Sequence, residues 1–192
     1  MDFSRALVAC GVAGVALALC GCSQNSGGGE GEANAHLPPP ATVSSVEPQQ
    51  LLGMWYENAS ITPEGKVHPA AVLSIDRNSD KSLALSYRWH QGSVDGPVRE
   101  VHTVAMPTDP PADVKFHLKS ASSPLPDNLW VLATAADSSI VVLGSPDHET
   151  LFILSRQPTI FANPFGELVH YLQTQGYPMD KLRLAVQTPT AQ

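Results

Sequence analysis

The strongest constraint on this chain is a period of two. In "SLALSYRWH", Ser82 to His90, the residues Leu83, Leu85, Tyr87 and Trp89 fall on one side and polar residues on the other. In "DVKFHLK", Asp113 to Lys119, Val114, Phe116 and Leu118 oppose Lys115, His117 and Lys119. Successive side chains of a strand point to opposite faces, so alternation of this kind marks strands with one dry face and one wet face, the habit of antiparallel sheets. Clusters of Gly, Pro, Asn, Asp and Ser cut the chain into eight such segments, near 53–60, 69–77, 81–90, 97–106, 112–119, 127–135, 138–144 and 149–156. "RNSD" (Arg77 to Asp80), "AADS" (Ala135 to Ser138) and "GSPDH" (Gly144 to His148) are short enough to be hairpins. Eight strands in meander order predict an all-β unit, either a sandwich or an up-and-down barrel.

One helix follows the strands. "NPFGELVHYLQTQGY" offers Asn163 as N-cap, Pro164 at the first helical position and Gly176 past the end. Phe165, Leu168, Val169 and Leu172 form an apolar stripe, which predicts a helix lying on the outside of the sheet. A short last strand, "KLRLAVQ" from Lys181, places Leu182, Leu184 and Val186 on one side and is expected to pair with a sheet edge.

The start of the chain reads as an export signal. Arg5 precedes an apolar run, Ala6 to Leu19, too short to cross a bilayer and of the length of a secretory signal core. The run ends in "LCGC", Leu19 to Cys22, which resembles the bacterial lipobox. That resemblance implies removal of residues 1–21 and acylation of Cys22. Cys10 and Cys20 then leave with the signal, and Cys22 remains as the sole cysteine, with no internal disulfide to form. Acyl chains anchor at about 0.8 kcal/mol for each buried methylene. Residues 22–46, rich in Gly, Ser and Pro, read as a tether with a coil dimension of roughly 25–30 Å. The expected folded domain is 47–192, held in the periplasm at the outer membrane of a bacterial envelope.

Composition removes other classes. Charged residues make up only 15% and the net charge is −7, so the chain lacks the cationic footprint a nucleic-acid partner requires. There is no Gly-X-Ser-X-Gly elbow, phosphate loop or cysteine-pair metal signature, so no cofactor, metal or catalytic residue is expected. The seven histidines are scattered; His102 and His117 fall on successive strands, where they could approach each other. "NAS" at Asn58 matches a glycosylation sequon and reads as chance. Glu57 has the phase to enter the interior, but one carboxylate is not an acid–base pair.

A specific resemblance narrows the barrel reading. Gly53, Trp55, Tyr56 and Glu57, as "GMWYE", resemble the first lipocalin motif, and "ETLFILSRQPTI" (Glu149 to Ile160) resembles the end of the eighth lipocalin strand, closing on Arg156. The resemblance spans about Pro48 to Gln187 and is nearest to bacterial outer-membrane lipocalins and their apolipoprotein-D-like relatives. It implies an eight-stranded antiparallel barrel with the helix outside and a short ninth strand. It also implies that Trp55 plugs the closed end with Arg156 across its indole, a stack of about 0.5–2 kcal/mol. Two departures stand out. Ser138 follows Asp137 where the family carries an aromatic, and the first inter-strand loop, "ITPEGKVHP", is short for a lid.

An eight-stranded barrel holds either packed side chains or one small ligand. The inward phase selects Leu73, Leu85, Tyr87, Trp89, Phe116, Leu118, Leu129, Val131, Phe152 and Leu154 as the lining, with Trp130 the alternative on the sixth strand. Such a wall suits an acyl chain, and micromolar affinity is the expectation once ordering is subtracted. Lys66 and Lys119 lie near the open end beside Asp95, Asp127, Asp147 and Glu149, a mixed rim that fits a lysophospholipid better than a fatty acid. The expected function is binding, storage or transport of such a ligand by a membrane-anchored barrel. A lipid- or isoprenoid-modifying enzyme and an envelope interaction module with a filled barrel are the alternatives. Monomer and homodimer both stay open.

Overall fold

The computed structural model describes residues 37–119, 124–159 and 162–187. The export signal and Cys22 lie outside the described residues. The chain forms β1 (Gly53–Ile61), β2 (Val72–Arg77), β3 (Leu83–His90), β4 (Val98–Pro107), β5 (Lys115–Lys119), β6 (Asn128–Thr134), β7 (Ile140–Gly144) and β8 (Leu151–Ser155). Each observed strand lies on one of the alternating segments, trimmed mostly where turn residues begin. Consecutive strands pair antiparallel, and β1 pairs with both β8 and β2, which closes the barrel. Closure removes the exposed edges that an open sheet would present.

A short helix, α1 (Pro48–Leu51), leads into β1; Glu47 and Gln50 cap it reciprocally. The stretch 41–46, read from sequence as tether, is already fastened to the barrel. The Val43 amide donates to the Val131 carbonyl at 3.1 Å, and the Val46 amide donates to Ala112 at 3.2 Å. Val46 is buried. Its neighbours in sequence are small and polar, so hydropathy alone gave it no core signal.

Helix α2 (Ala162–Thr174) lies on the outer face, as its stripe predicts. Leu172 is fully buried, and Phe165, Leu168 and Tyr171 pack on Ala59, Ile61, Leu132, Val142, Leu151 and Ile153. Tyr171 joins this contact and the half-buried Val169 does not. The helix explains why β8, "LFILS", is buried at every position: both of its faces are covered.

A 3-10 turn (Met179–Lys181) leads to β9 (Arg183–Leu184), which pairs with Ala59 and Ser60 of β1. There β1 and β2 have separated, since their ladder covers only Gly53 to Tyr56. The chain beyond β9 bridges the gap. The Ala185 amide donates to the Asn58 carbonyl, and Ala70 donates to Val186. The Gln187 side chain donates to the carbonyls of Glu57 and Ala71. Of the apolar side expected for this strand, Leu182 packs half-buried on the outer cluster, while Leu184 is 66% and Val186 59% exposed, because the segment is held through its backbone.

Candidate functional site: the barrel interior and its mouth

At the closed end Trp55 is 1% exposed, and its indole N–H donates to the Leu51 carbonyl at 2.7 Å. The Arg156 guanidinium carbon lies 3.5 Å from the indole centroid. The same guanidinium donates to the carbonyls of Gln50, Leu52 and Met54 at 2.8 to 3.0 Å. Gly53 sits between them with φ near 92°, a conformation that favours glycine, and a Cβ there would meet Arg156 at 3.4 Å. Tyr56 points outward and is half-buried. The loop holding Asp137 and Ser138 also lies at this end; Asp137 accepts from the Ser139 amide at 3.0 Å and closes the turn.

Above this plug the lining residues come together. Leu73, Leu85, Tyr87, Phe116, Leu118, Leu129, Val131, Phe152 and Leu154 form one interior cluster with Trp55, none more than 6% exposed, and Trp89 packs against it partly buried. The side chains contact one another: the rings of Tyr87 and Phe152 are 5.9 Å apart, and those of Tyr87 and Trp89 5.4 Å. Trp130, the alternative, is outside. It packs on the outer cluster, with the Lys115 ammonium 4.5 Å from its ring centroid.

Among the described residues Glu57 is the charged one in this interior, and it is completely buried. It arrives there by alternation from Trp55, ahead of a bulge that β1 carries between Glu57 and Ala59. Before the bulge Trp55 and Glu57 point in; after it Ser60 takes the inward side, while Ala59 and Ile61 turn out onto the helix-facing cluster. The Tyr87 hydroxyl donates to Glu57 Oε2 at 2.5 Å. Glu57 Oε1 is buried without a hydrogen-bond partner. Burial pushes the carboxyl up to about 7, against a smaller opposing effect of the Tyr87 and Ser60 hydroxyls. Tyr87 is in turn held well above its ordinary value, first by burial and then by the neighbouring carboxyl.

The loop between β1 and β2 reaches over the open end in spite of its shortness. His68 is 9% exposed, and its ring stands edge-on to Trp89 at 5.3 Å and to Tyr87 at 5.8 Å. Burial holds His68 below its ordinary value. His68 and Trp89 line a cavity of about 470 Å³ with Glu64, Lys66, Val67, His90, Gln91, Gly92 and Arg99. A second cavity of about 470 Å³ lies across the mouth and is acidic, with Glu64, Asp127, Asp147 and Glu149 in its wall. Of the ten predicted lining residues, Trp89 alone reaches either cavity, and it lines the first. Lys66 is paired with Glu64 at 2.6 Å. Lys119 ends β5 and lines neither, and Asp95 is exposed in the loop after β3.

The remaining candidates are dispersed. His102 and His117 do not meet: His117 lies opposite Met106, and His102 lies opposite Ser86 on the other neighbour. No group of metal-ligating side chains occurs among the described residues. Asn58 is 7% exposed, donates to the Pro158 carbonyl and accepts from Ser155, so the sequon is a buried structural residue. Of the residues gathered here, the sequence marks Glu57, through the Glu of "GMWYE", while no local pattern marks His68 or Arg99.

Residues 46–187 match a family model described as a lipocalin-like domain. Temperature-induced lipocalin-1 of Arabidopsis thaliana is 26% identical over 163 residues, covering 77% of this chain and 83% of the plant protein. Among solved structures, lobster apocrustacyanin A1 superposes with a TM-score of 0.55 at 11% identity, covering 81% of this chain and 93% of that one. The cockroach allergen Per a 4 gives 0.57 at 11% identity, with 79% and 96% covered. At such identities these structures speak for the fold, and the family model speaks for descent: the chain belongs to the lipocalin-like domain family.

Proposed function

We propose that this protein is a membrane-anchored lipocalin that binds a lysophospholipid or a fatty acid, acyl tail inward, and stores or carries it at the bacterial outer membrane. The lipocalin fold suggests binding of a small hydrophobic ligand. The observation that carries the reading is the polarity of the barrel axis. One end is sealed by Trp55 and Arg156. The other opens into a cavity of ligand size, floored by Trp89 and His68. Lys66 and Arg99 stand in that wall, Lys66 ion-paired with its one carboxylate, Glu64, so the wall keeps an excess of positive charge for an anionic or zwitterionic head group. The acidic cavity opposite favours the Lys66–Arg99 side for the head group.

The interior side chains already touch, so an acyl tail enters by displacing them. That close packing favours a second reading, an interaction module with a filled barrel. One titration separates the two. Delipidated protein receives dodecanoate or a lauroyl lysophosphatidylcholine, followed by calorimetry and tryptophan emission. Binding with Kd on the order of micromolar, and an emission change lost in Trp89→Phe, is expected. Absence of heat and of any emission response with both ligands leaves the filled barrel. The anchor is tested separately: Cys22→Ala is expected to release the protein from membranes, and unchanged membrane association would refute acylation at that residue.

A further inference from the structure

Beneath the mouth cavity two buried polar atoms stand without a hydrogen-bond partner, on either side of one tyrosine. Glu57 Oε1 is one and His68 Nδ1 is the other. The Tyr87 hydroxyl holds the second oxygen of Glu57, and the Tyr87 ring packs edge-on to His68. Native interiors rarely leave such atoms unpaired, because each costs roughly 1–3 kcal/mol. His148, whose ring nitrogens are also unpartnered, lies against Tyr177 on the outer face and belongs to a different environment.

Glu57 is surrounded by an interior made mostly of Leu, Val, Phe and aromatic rings, with the Ser60 hydroxyl as a polar neighbour that leaves Oε1 without a hydrogen bond. A plain acyl chain passing His68 and Trp89 and then Tyr87 brings methylenes against this carboxyl and leaves Oε1 unpaired. A second carboxylate at that depth meets like charge whenever Glu57 is ionised. A hydroxyl is both donor and acceptor, so it pairs with Oε1 whether Glu57 holds its proton or not.

Resting on the acyl-ligand reading above, we infer that Glu57 is a specificity-determining residue that selects acyl ligands bearing a hydroxyl on the buried part of the chain, with Tyr87 as its positioning residue. The contact forms between the ligand oxygen and Glu57 Oε1. Tyr87 fixes Oε2 and so turns Oε1 toward the ligand. No covalent step is involved.

The test compares ω-hydroxyoctanoate, ω-hydroxydecanoate and ω-hydroxydodecanoate with the unsubstituted acids, by calorimetry on the full chain. In the wild type at least one hydroxy acid is expected to bind no more weakly than its plain counterpart. In Glu57→Leu the same hydroxy acid is expected to lose roughly tenfold, while the plain acid holds or gains. Glu57→Gln, which keeps an acceptor and a donor and nearly the same shape, should retain most of the preference, and Tyr87→Phe should lose part of it. Should Glu57→Leu fail to fold, a ratio of hydroxy to plain affinity in Tyr87→Phe identical to the wild type overturns the inference. Equal ratios in wild type and Glu57→Leu overturn it too, and leave the acyl reading standing. Absence of binding by every acid removes the acyl reading, and the selectivity falls with it.

Discussion

Replacing Glu57 by Gln changes how stability depends on pH. Glu57 is completely buried, and its carboxyl is raised from 4.5 to about 7, chiefly by loss of water. At about 1.4 kcal/mol for each tenfold in proton affinity, that rise corresponds to about 3 kcal/mol. The sign follows from proton counting. Below about pH 4.5 the folded and unfolded chains both hold this proton, and there is no penalty. Between pH 4.5 and about 7 the folded chain keeps a proton that the unfolded chain has lost, so stability falls as pH rises. Above about 7 both are ionised and the full penalty persists. Glutamine does not titrate, and its side-chain oxygen still accepts from the Tyr87 hydroxyl. The stability of Glu57→Gln minus that of the wild type should therefore grow by about 2–3 kcal/mol between pH 5 and pH 8. Its absolute value is offset by the cost of an amide N–H without a partner, about 1–3 kcal/mol at every pH. His68, held low by burial, contributes a slope of opposite sign, but it does so in both proteins and cancels in the difference. Urea unfolding at pH 5, 6, 7 and 8 measures the difference directly. A difference that stays flat across this range would show that Glu57 is hydrated or paired in solution, and would refute the argument from burial.

Two further substitutions probe the frame around the interior. Arg156→Ala removes three hydrogen bonds to carbonyls before and within β1 and the cover over Trp55; a loss of about 2–4 kcal/mol is expected from the urea midpoint, and a loss under about 1 kcal/mol would mean that the plug does not depend on the guanidinium. Gly144→Ala places a methyl 2.3 Å from the Tyr177 hydroxyl and 2.7 Å from Leu132, so it should cost about 1–3 kcal/mol by overpacking and by loosening the Tyr177–Ser145 hydrogen bond; a thermal melt unchanged from the wild type would contradict that packing.

The parts of this fold that sequence reveals are those with one dry face. β3 and β5 alternate cleanly because their outer faces meet water, and their phase assigns Leu85, Tyr87, Phe116 and Leu118 to the interior. β8 hides its phase, since helix α2 makes its outer face as dry as the inner one. β1 misleads more subtly. Its bulge shifts the phase by one residue, and a period of two carries no mark of where such a slip falls. Ala59 and Ile61 read as interior by alternation from Trp55, yet they pack outward against the helix-facing cluster. Trp55 and Arg156 were legible through a motif, because two distant ends of a closed barrel must meet at its base. His68 was not. Its burial comes from the path of a short loop over the mouth, which no local pattern encodes. The same holds for Gln187, whose amide clips β1 to the chain entering β2 through backbone carbonyls alone.

The central claim is that an acyl tail passes His68 and Trp89 and lies among the inward side chains above Trp55. Intermolecular nuclear Overhauser effects between the methylenes of bound dodecanoate and the methyl groups of the protein test it most directly. Contacts to Leu118 and Leu154, with the carboxylate end near Lys66 and Arg99, are predicted. Contacts confined to Val67 and Val98, which are exposed at the open end, would place the ligand on the surface and contradict the account.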